Sequence, residues 1–376
     1  MIKQKKNILL ISLDTLRADV AYSGKLKFLE SCMNEGTAFI NAVSQSPLTP
    51  VSHASVLTGL LPTHHGIRHL FKEKMNASIN TLASTLQREG YSTGAVVSCP
   101  GLNKWYGFDR GFSSYDDEIP LLADGTNPLE TVDVRLRGTA LKRAPVVVDR
   151  SLHWLRNSAK TPYFLFMHFF DTHWPYEPPE NFAPPGTNCY ESEAFYVEHY
   201  LSRFFETAKQ EGFLENTLIV IFSDHGEDLG GLYSNDHGGE LLGHPEEDGH
   251  GCLLFDATQL VPLIFIEPEL VPKRNKVYTQ VRLIDILPTI YDLLEISNLG
   301  VYDGVSLRSL FLDSEPDRLA YFETFYREEQ NVVSGLSPLK GFRLNNGQKI
   351  IFNIQSGEIN LYDLKNDPNE KRPIRL

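Results

Sequence analysis

The chain has 376 residues, enough for one large domain or two unequal ones, and a formal net charge of −13. Its 41% hydrophobic and 22% charged residues are typical of a globular protein and exclude a disordered chain. The acidic balance argues against nucleic acid and anionic membrane surfaces as partners. Four scattered cysteines, with no CxxC pair, predict reduced thiols rather than a disulfide framework.

The amino-terminal segment is basic and then apolar. The apolar run at residues 8–13 is too short to span a membrane, and Asp14 and Arg17 follow it directly. No other apolar run approaches about 18 residues. We therefore expect a buried first strand rather than a signal peptide, and a soluble cytoplasmic protein without a membrane anchor.

Apolar runs and helical patterns alternate along the chain. Near-continuous apolar runs predict strands that are covered on both faces, at residues 7–13, 163–170, 217–222 and 261–267, with a further strand at 91–98. Apolar residues at helical spacing predict helices at residues 79–89, 146–157, 192–210 and 282–294. Strands that alternate with helices indicate an α/β fold built on a mostly parallel sheet with helices on both faces.

Three of the apolar runs end in polar residues that can bind a metal ion. The residues are Asp14 after the first run, Asp171 and His173 after the second, and Asp224 and His225 after the third. In open α/β sheets, ligands bind at the carboxyl ends of the strands. Carboxylate, imidazole and hydroxyl donors together suit Zn²⁺ or Mn²⁺ better than Ca²⁺ or Mg²⁺. The alternative is that these side chains only cap helices and loops.

The segment at residues 46–66 predicts a loop that leads into the first turn of a helix. Pro47 and Pro50 cannot lie inside a helix, and Gly59 ends the segment that can form one. Thr49 lies near the helix entry, where unpaired N–H groups and the helix dipole favour an anion. A metal-bound hydroxyl there is a candidate nucleophile, while a simple N-cap is the alternative.

Two segments without periodicity, at residues 121–139 and 228–251, are expected to form the wall of a pocket. The second contains His237, which we include as a candidate substrate contact. After residue 302 the pattern changes to short strands at 319–324, 349–353 and 359–364. We therefore predict a catalytic domain at residues 1–310 and a small α+β subdomain at 311–376.

The order of these motifs resembles the sulfatase branch of the alkaline phosphatase superfamily over nearly the whole chain. The matching stretches are residues 7–19, 49–59, 106–112, 171–176, 223–227, 249–251, 261–264, 285–289 and 361–368. The resemblance implies an alkaline-phosphatase-like fold and four metal ligands: Asp14, Thr49, Asp224 and His225. It also implies that Thr49 is the nucleophile and that His173 and His250 face the substrate's oxyanion or leaving group. The other candidate substrate contacts are His53 and Asp171.

Four positions depart from the pattern of true sulfatases. The formylglycine of those enzymes is made from Cys or Ser, but the nucleophile position here is Thr49, whose β-carbon carries a methyl group and cannot yield the aldehyde. His53 replaces the family's Arg, His225 replaces Asn, and Thr15 replaces a second Asp. These changes resemble the phosphodiesterase, phosphonate hydrolase and phosphotransferase branches.

The sequence thus predicts a hydrolase or transferase that acts on a small anionic phosphoester or phosphonate through Thr49. One divalent ion is expected. A second ion at Asp171, His173 and His250 is the alternative, although the Asp-x-His spacing differs from that of the two-metal branches. A sulfatase without formylglycine and a non-catalytic binding protein are the alternative functions. The oligomeric state stays open, with a homo-oligomer among the alternatives.

Overall fold

A computed structural model describes residues 4–119, 142–243, 249–297, 300–313, 315–326 and 338–376. A nine-stranded sheet forms the centre of the molecule, and a five-stranded sheet follows it in the chain. The strands of the first sheet are β1 (Asn7–Leu13), β2 (Thr37–Val43), β3 (Ser92–Val96), β4 (Ser114–Asp116), β5 (Tyr163–Phe169), β6 (Thr217–Phe222), β7 (Leu260–Ile266), β8 (Asn275–Val277) and β9 (Val281–Arg282).

The order of the central sheet places β1 in the middle. The order is β4-β3-β5-β1-β6-β7-β2-β8, with β9 also paired to β2. Strands β4, β3, β5, β1 and β6 run parallel, and β7 is antiparallel to both of its neighbours. Leu13 pairs with Phe169, and Ser12 pairs with Phe222, so β1, β5 and β6 end at the same edge. The mostly parallel sheet confirms the predicted fold class.

Helices cover both faces of the sheet. They are α1 (Ala18–Ala21), α2 (Lys27–Glu35), α3 (Thr49–Thr58), α4 (Pro62–His65), α5 (Leu82–Arg88), α6 (Ala144–Asn157), α7 (Cys189–Gln210), α8 (Asp256–Gln259) and α9 (Ile286–Leu293). Ile8 and Leu10 of β1 pack in one apolar cluster, and Leu9 and Ile11 pack in the other. This alternation explains why the strand is apolar at almost every position. No helix of the described residues is long and apolar enough to cross a membrane.

The second sheet is antiparallel and includes the three strands predicted near the carboxyl end. Its strands are β10 (Ala320–Thr324), β11 (Leu339–Arg343), β12 (Gln348–Asn353), β13 (Ile359–Asp363) and β14 (Ile374–Arg375). Strands β11 and β14 were not predicted from the sequence. Leu254 contributes to the small core of this sheet together with Phe322 and Tyr362. The predicted domain boundary at residues 310 and 311 stays a prediction.

The four predicted helices start a few residues away from their predicted starts, and side-chain caps account for two of these shifts. Helix α5 starts three residues later than predicted, where the Thr81 side chain accepts a hydrogen bond from the Ser84 N–H. Helix α7 starts three residues earlier, where Asn188 caps the N–H of Glu191. The segment at 282–294 begins with a 3₁₀ turn before α9. Residues 121–139 and 244–248 lie outside the described residues.

Gly94 in β3 allows helix α6 to pack closely on the sheet. A β-carbon at position 94 would lie 2.6 Å from Cδ2 of Trp154, which is nearly buried. We expect Gly94→Ala to lower the free energy of unfolding by about 3 kcal/mol, since overpacking a core displaces neighbouring side chains. Thermal denaturation of the metal-free protein measures this change. Adding Trp154→Phe should restore part of the loss, and equal Tm values for the single and double variants would contradict the packing explanation.

His65, at the end of α4, should make stability depend on pH. Its Nδ1 accepts a hydrogen bond from the Ile67 N–H at 3.1 Å, so Nε2 carries the proton and lies 3.0 Å from Ser55 Oγ. Burial, together with His64 and Arg68, lowers the pKa of His65 to about 3. Between these pH values His65 is protonated in the unfolded chain and neutral in the folded chain. The free energy of unfolding therefore falls as the pH drops from about 6.5 toward 3.

We expect each pH unit below 6.5 to cost about 1.4 kcal/mol at this residue. His65→Gln should flatten the dependence of unfolding free energy on pH between 7 and 5, although its stability at pH 7 is lower. Ser55→Ala is the matched control, because it removes the hydrogen-bond partner and keeps the titrating ring. Parallel curves for wild type and His65→Gln would refute this prediction.

Candidate active site

Thr49 is the first residue of α3, and its hydroxyl group points to other elements rather than to the helix. The N-cap position is Leu48, and no side chain caps the first turn. Thr49 Oγ1 lies 3.3 Å from Asp14 Oδ2 and 3.3 Å from His225 Nε2. These contacts exclude the simple capping role, and they place a hydroxyl at a helix N-terminus beside a carboxylate and an imidazole.

Asp14, Asp224 and His225 form a buried cluster at the edge where β1 and β6 end. One ligand atom from each residue lies within 4.8 Å of the others. Oδ1 of Asp14 and Oδ2 of Asp224 are buried and have no hydrogen-bond partner among the residues that the structure describes. Because an unsatisfied buried carboxylate oxygen is costly, two of them that face one imidazole indicate a place for a cation.

The charges in the cluster act on one another strongly. Burial raises the pKa of Asp14, and His225 opposes this shift. Burial and the neighbouring Asp14 also raise the pKa of Asp224. Burial alone would lower the pKa of His225, but Asp224 and Asp14 outweigh it and raise that pKa above its ordinary value. A divalent cation would relieve the repulsion between the carboxylates, so the residues fit the predicted metal site.

Three histidines meet beside this cluster. The ring of His250 lies 4.5 Å from that of His225 and 4.6 Å from that of His173. Each Nδ1 lies within hydrogen-bond distance of an oxygen, at 3.0 Å from Gly226 O for His225, 2.6 Å from Trp174 O for His173 and 2.9 Å from Glu227 Oε1 for His250. Nδ1 must carry a proton in these bonds, which leaves the lone pair on Nε2 in the neutral rings of His173 and His250.

The two predicted catalytic histidines are neutral in this environment. Burial and the nearby His250 lower the pKa of His173 to about 3. Burial and His225 lower the pKa of His250 well below its ordinary value. Each ring therefore offers Nε2 as a proton acceptor, and it becomes an acid only after it has taken up a proton.

His53 has contacts that differ from the predicted substrate contact. Its ring is fully buried, with Nδ1 2.8 Å from Thr49 O and Nε2 2.9 Å from Ser12 Oγ. Nδ1 also lies 3.5 Å from Asp224 Oδ2. His53 thus connects the first turn of α3 to β1 and to the cluster, and its contact with the Thr49 carbonyl group helps to position Thr49.

Among the described residues, no contact places Asp171 or His237 in the cluster of Asp14, Asp224 and His225. Asp171 Oδ1 lies 2.8 Å from Arg143 Nε and accepts the Ala144 N–H at 3.1 Å, so its carboxylate holds the start of α6. His237 stacks on Phe255 with ring centroids 3.5 Å apart, and its Nε2 lies 3.0 Å from Asn369 O. These contacts differ from the predicted substrate contacts of both residues.

The sequence reasoning missed His168, Ser12 and Glu227. His168 Nε2 lies 3.0 Å from Asp14 Oδ2, and Ser12 holds His53 as described above. The available signal was a polar residue inside an otherwise apolar strand, which is expensive unless it has a partner. Glu227 lies in the matching stretch at residues 223–227, but no sequence pattern predicted its contact with His250.

Comparisons with known proteins are consistent with this geometry. The sulfatase family model matches residues 6–296, and the model for the C-terminal region of N-sulphoglucosamine sulphohydrolase matches residues 251–375. An arylsulfatase of Clostridium perfringens is 24% identical over 97% of this chain and 89% of its own length.

Solved structures share the fold at low sequence identity. A putative sulfatase from Bacteroides thetaiotaomicron superimposes with a TM-score of 0.73 at 20% identity, over 98% of this chain and 88% of that one. A phosphonate monoester hydrolase of Agrobacterium radiobacter gives a TM-score of 0.74 at 19% identity, over 98% and 91% of the two chains. At these identities the two structures show the fold of this chain.

Proposed function

The chain belongs to the sulfatase family of the alkaline phosphatase superfamily and is a hydrolase of sulfate or phosphate esters, and from that premise we propose that it cleaves phosphoester or phosphonate substrates with Thr49 as the nucleophile. The observation that carries the proposal is the Thr49 hydroxyl, which lies 3.3 Å from both Asp14 and His225. Oxidation of threonine gives a ketone rather than an aldehyde, so the formylglycine route of sulfatases is closed to this residue.

Enzymes of this family depend on a metal ion, and this chain has a matching donor set. Asp14, Thr49, Asp224 and His225 would hold one divalent cation, zinc or manganese by their mixed donors, which when bound lowers the pKa of the hydroxyl and offsets charge on the substrate's oxygens. The helix dipole of α3 acts in the same direction, because its positive end lies at Thr49.

In the first step, residues of the chain supply the nucleophile and transfer the proton. Thr49 Oγ1 attacks phosphorus and forms a P–O bond, while the bond from phosphorus to the leaving oxygen breaks. The hydroxyl proton passes to an imidazole Nε2 that faces the site, from His250 or His173, and then to the leaving oxygen. Glu227 stabilises the imidazolium of His250 through its contact with Nδ1.

The second step restores Thr49. Water attacks the phosphothreonine and gives up its proton to the same imidazole, and the P–Oγ1 bond breaks as the proton returns to Thr49 Oγ1. An alcohol in place of water would make the chain a transferase. A small anionic ester is the substrate class that we propose, in line with the phosphonate monoester hydrolase that shares the fold.

The test is hydrolysis of four chromogenic substrates: a phosphodiester, a phosphonate monoester, a phosphate monoester and a sulfate ester. The enzyme is stripped of metal and reloaded with Zn²⁺, Mn²⁺ or Ca²⁺. We expect metal-dependent turnover of a phosphorus ester. Sulfate turnover by unmodified Thr49 would favour the sulfatase alternative, and metal binding without turnover of any ester would favour the binding protein.

Glu227→Gln should lower kcat by about 10- to 100-fold, because the amide can hold the His250 ring but cannot stabilise its charge. The loss should be larger for a poor leaving group, which needs the proton more, than for nitrophenolate. Rates on matched esters of nitrophenol and of a simple alcohol measure the difference. An equal loss for both leaving groups would show that Glu227 has no part in proton delivery.

A further inference from the structure

The carboxyl end of β10 reaches from the second sheet to the loop that carries His250. The hydroxyl group of Thr324, which is fully buried, donates a hydrogen bond to Gly251 O. The same Oγ1 accepts the N–H of Tyr326 at 3.2 Å, so the hydroxyl group is held from two sides. The mechanism above uses His250 and gives no role to any residue of the second sheet.

Gly251 is closely packed beside His250. Its φ is +93°, a value that favours glycine, and a β-carbon at this position would lie 2.9 Å from Cγ of Tyr326 and 3.3 Å from Cδ2 of Leu48. Leu48 is the residue before Thr49. The backbone that follows His250 is therefore packed between the Tyr326 ring, just beyond β10, and the residue that precedes Thr49.

Hydrogen bonds flank His250 on both sides in the chain. On one side, the N–H and O of Gly249 each pair with the backbone of Asp228 at 3.1 Å. On the other side, Gly251 O accepts the hydrogen bond of Thr324. The first contact is local to the segment after β6, and the second joins the loop to the other sheet. Thr324 therefore helps to set where the backbone of His250 lies relative to the rest of the chain.

The same strand is also attached to the segments on both sides of the helix that carries Thr49. The Glu323 N–H donates to Gln45 O at 3.0 Å. The carboxylate of Glu323, which is fully buried, accepts two hydrogen bonds of 2.6 Å from Arg68. Gln45 precedes α3, and Arg68 follows α4. Thr49 and His250 are far apart in the sequence, so β10 is a common support for the two segments that bring them together.

We propose that Thr324 is a positioning residue for His250, and that β10 thereby sets the distance between the His250 ring and the Thr49 hydroxyl group. A proton passes between two groups only within hydrogen-bond reach, so a displacement of the loop by about 1 Å costs much of the rate. Without the hydroxyl group at position 324, Gly251 O loses this bond and the loop can shift. This role rests on the proposed function of His250 in proton transfer, and it extends the catalytic unit to the second sheet.

The experiment measures variants on the class of ester that wild type cleaves fastest, with nitrophenol and a simple alcohol as leaving groups. Thr324→Val should lower kcat by about 10- to 100-fold. KM should stay nearly unchanged, because the Thr324 side chain is fully buried and binds backbone. The loss should be larger for the alcohol, which needs the proton more. Thr324→Ser keeps the hydroxyl group and should restore most of the rate. An equal loss for both leaving groups would show that Thr324 only supports the fold.

Thr37→Val is the matched control. Thr37 is also fully buried, and its hydroxyl group donates to Pro272 O at 2.9 Å, but it lies at the start of β2, the end of that strand away from Thr49. This variant should keep kcat at a temperature below all Tm values. A loss equal to that of Thr324→Val would overturn the proposal, and so would an unchanged kcat in Thr324→Val. If Thr324→Val does not fold, Thr324→Ala, which also lacks the hydroxyl group, takes its place.

A second measurement needs no turnover and separates this role of Thr324 from the proposed function. In protein with ¹⁵N-labelled histidine, Thr324→Val should shift the ring resonances of His250, which are identified by their loss in His250→Gln. The resonances of His153, exposed on α6, should stay in place. Unmoved His250 resonances, together with Thr49-dependent turnover of a phosphorus ester, would overturn only the role of Thr324. Shifted resonances with turnover of a sulfate ester alone would contradict only the proposed function.

Discussion

Replacing Thr49 by alanine should reduce turnover of a phosphorus ester by at least about a thousandfold, while Tm changes little. In the proposed mechanism the hydroxyl oxygen forms the bond to phosphorus, so its removal leaves only the positioning and charge stabilisation of the site. The side chain is small and makes no capping hydrogen bond, so α3 does not depend on it. Steady-state rates on the substrate that wild type prefers, together with a melting curve, measure both effects.

Thr49→Ser is the matched variant, because it keeps the hydroxyl and removes only the methyl group. It should retain turnover within about tenfold of wild type. Acid quenching of wild type during turnover should trap a phosphoryl group on Thr49, which peptide mass spectrometry can locate. Full activity in Thr49→Ala would exclude a covalent mechanism at this residue.

Replacing Asp224 by asparagine should reduce activity by at least about a hundredfold and abolish stabilisation by metal at the catalytic site. The reason is that Asp224 Oδ2, for which the described part of the chain supplies no hydrogen-bond partner, is one of the atoms that would bind the ion. Because removing even an outer partner of a metal ligand costs 10- to 100-fold, loss of a ligand is expected to cost no less.

The same substitution should raise the Tm of the metal-free protein at pH 7. The pKa of Asp224 is raised in the folded state, so the folded chain holds this proton more tightly than the unfolded chain does. Stability of the metal-free protein therefore falls as the pH rises above about 3.8, and an amide at this position removes that loss. Asparagine keeps an oxygen for the Thr15 N–H, which lies 3.3 Å from Asp224 Oδ1.

Asp228→Asn is the control for Asp224→Asn. Asp228 follows the same strand, but its carboxylate accepts the N–H groups of His237 and Gly238. This variant should keep the increase in Tm that metal produces. A fall in metal-free Tm for Asp224→Asn, or a metal-induced increase equal to that of wild type, would contradict the assignment of Asp224 as a ligand.

The strands that carry the site could be predicted because they are buried on both faces. A strand covered on both faces is apolar at almost every position. Residues 7–13 and 217–222 could therefore be recognised as strands without any knowledge of the partner strands. The polar residue that follows each run, Asp14 or Asp224, then has only one edge of the sheet on which to lie. This local pattern was sufficient to predict the α/β fold and to select Asp14 and Asp224, which lie in the buried cluster.

Contacts between distant segments were not available from the sequence. Asp171 also follows an apolar strand, yet its carboxylate binds Arg143 and the start of α6. His53 lies four residues after Thr49, and one turn of helix carries it back into the core beside Ser12. Asp171 and His53 each have the residue type and the sequence position expected of a site residue. Their neighbours in the folded chain, Arg143 and Ser12, give them contacts that differ from the predicted ones.

The sequence by itself determined the fold class, the order of the motifs and the residue types at the strand ends, because burial periodicity and motif spacing are properties of short segments. Only the tertiary structure decided which side chains meet. The direction of a side chain past a strand end depends on neighbouring elements far away in the chain, and the neighbours of His168 are set by the packing of β3, β5 and β1. For that reason the cluster around Thr49 was foreseen, while Glu227 beside His250 and Cys99 beside Asp14 became visible only in three dimensions.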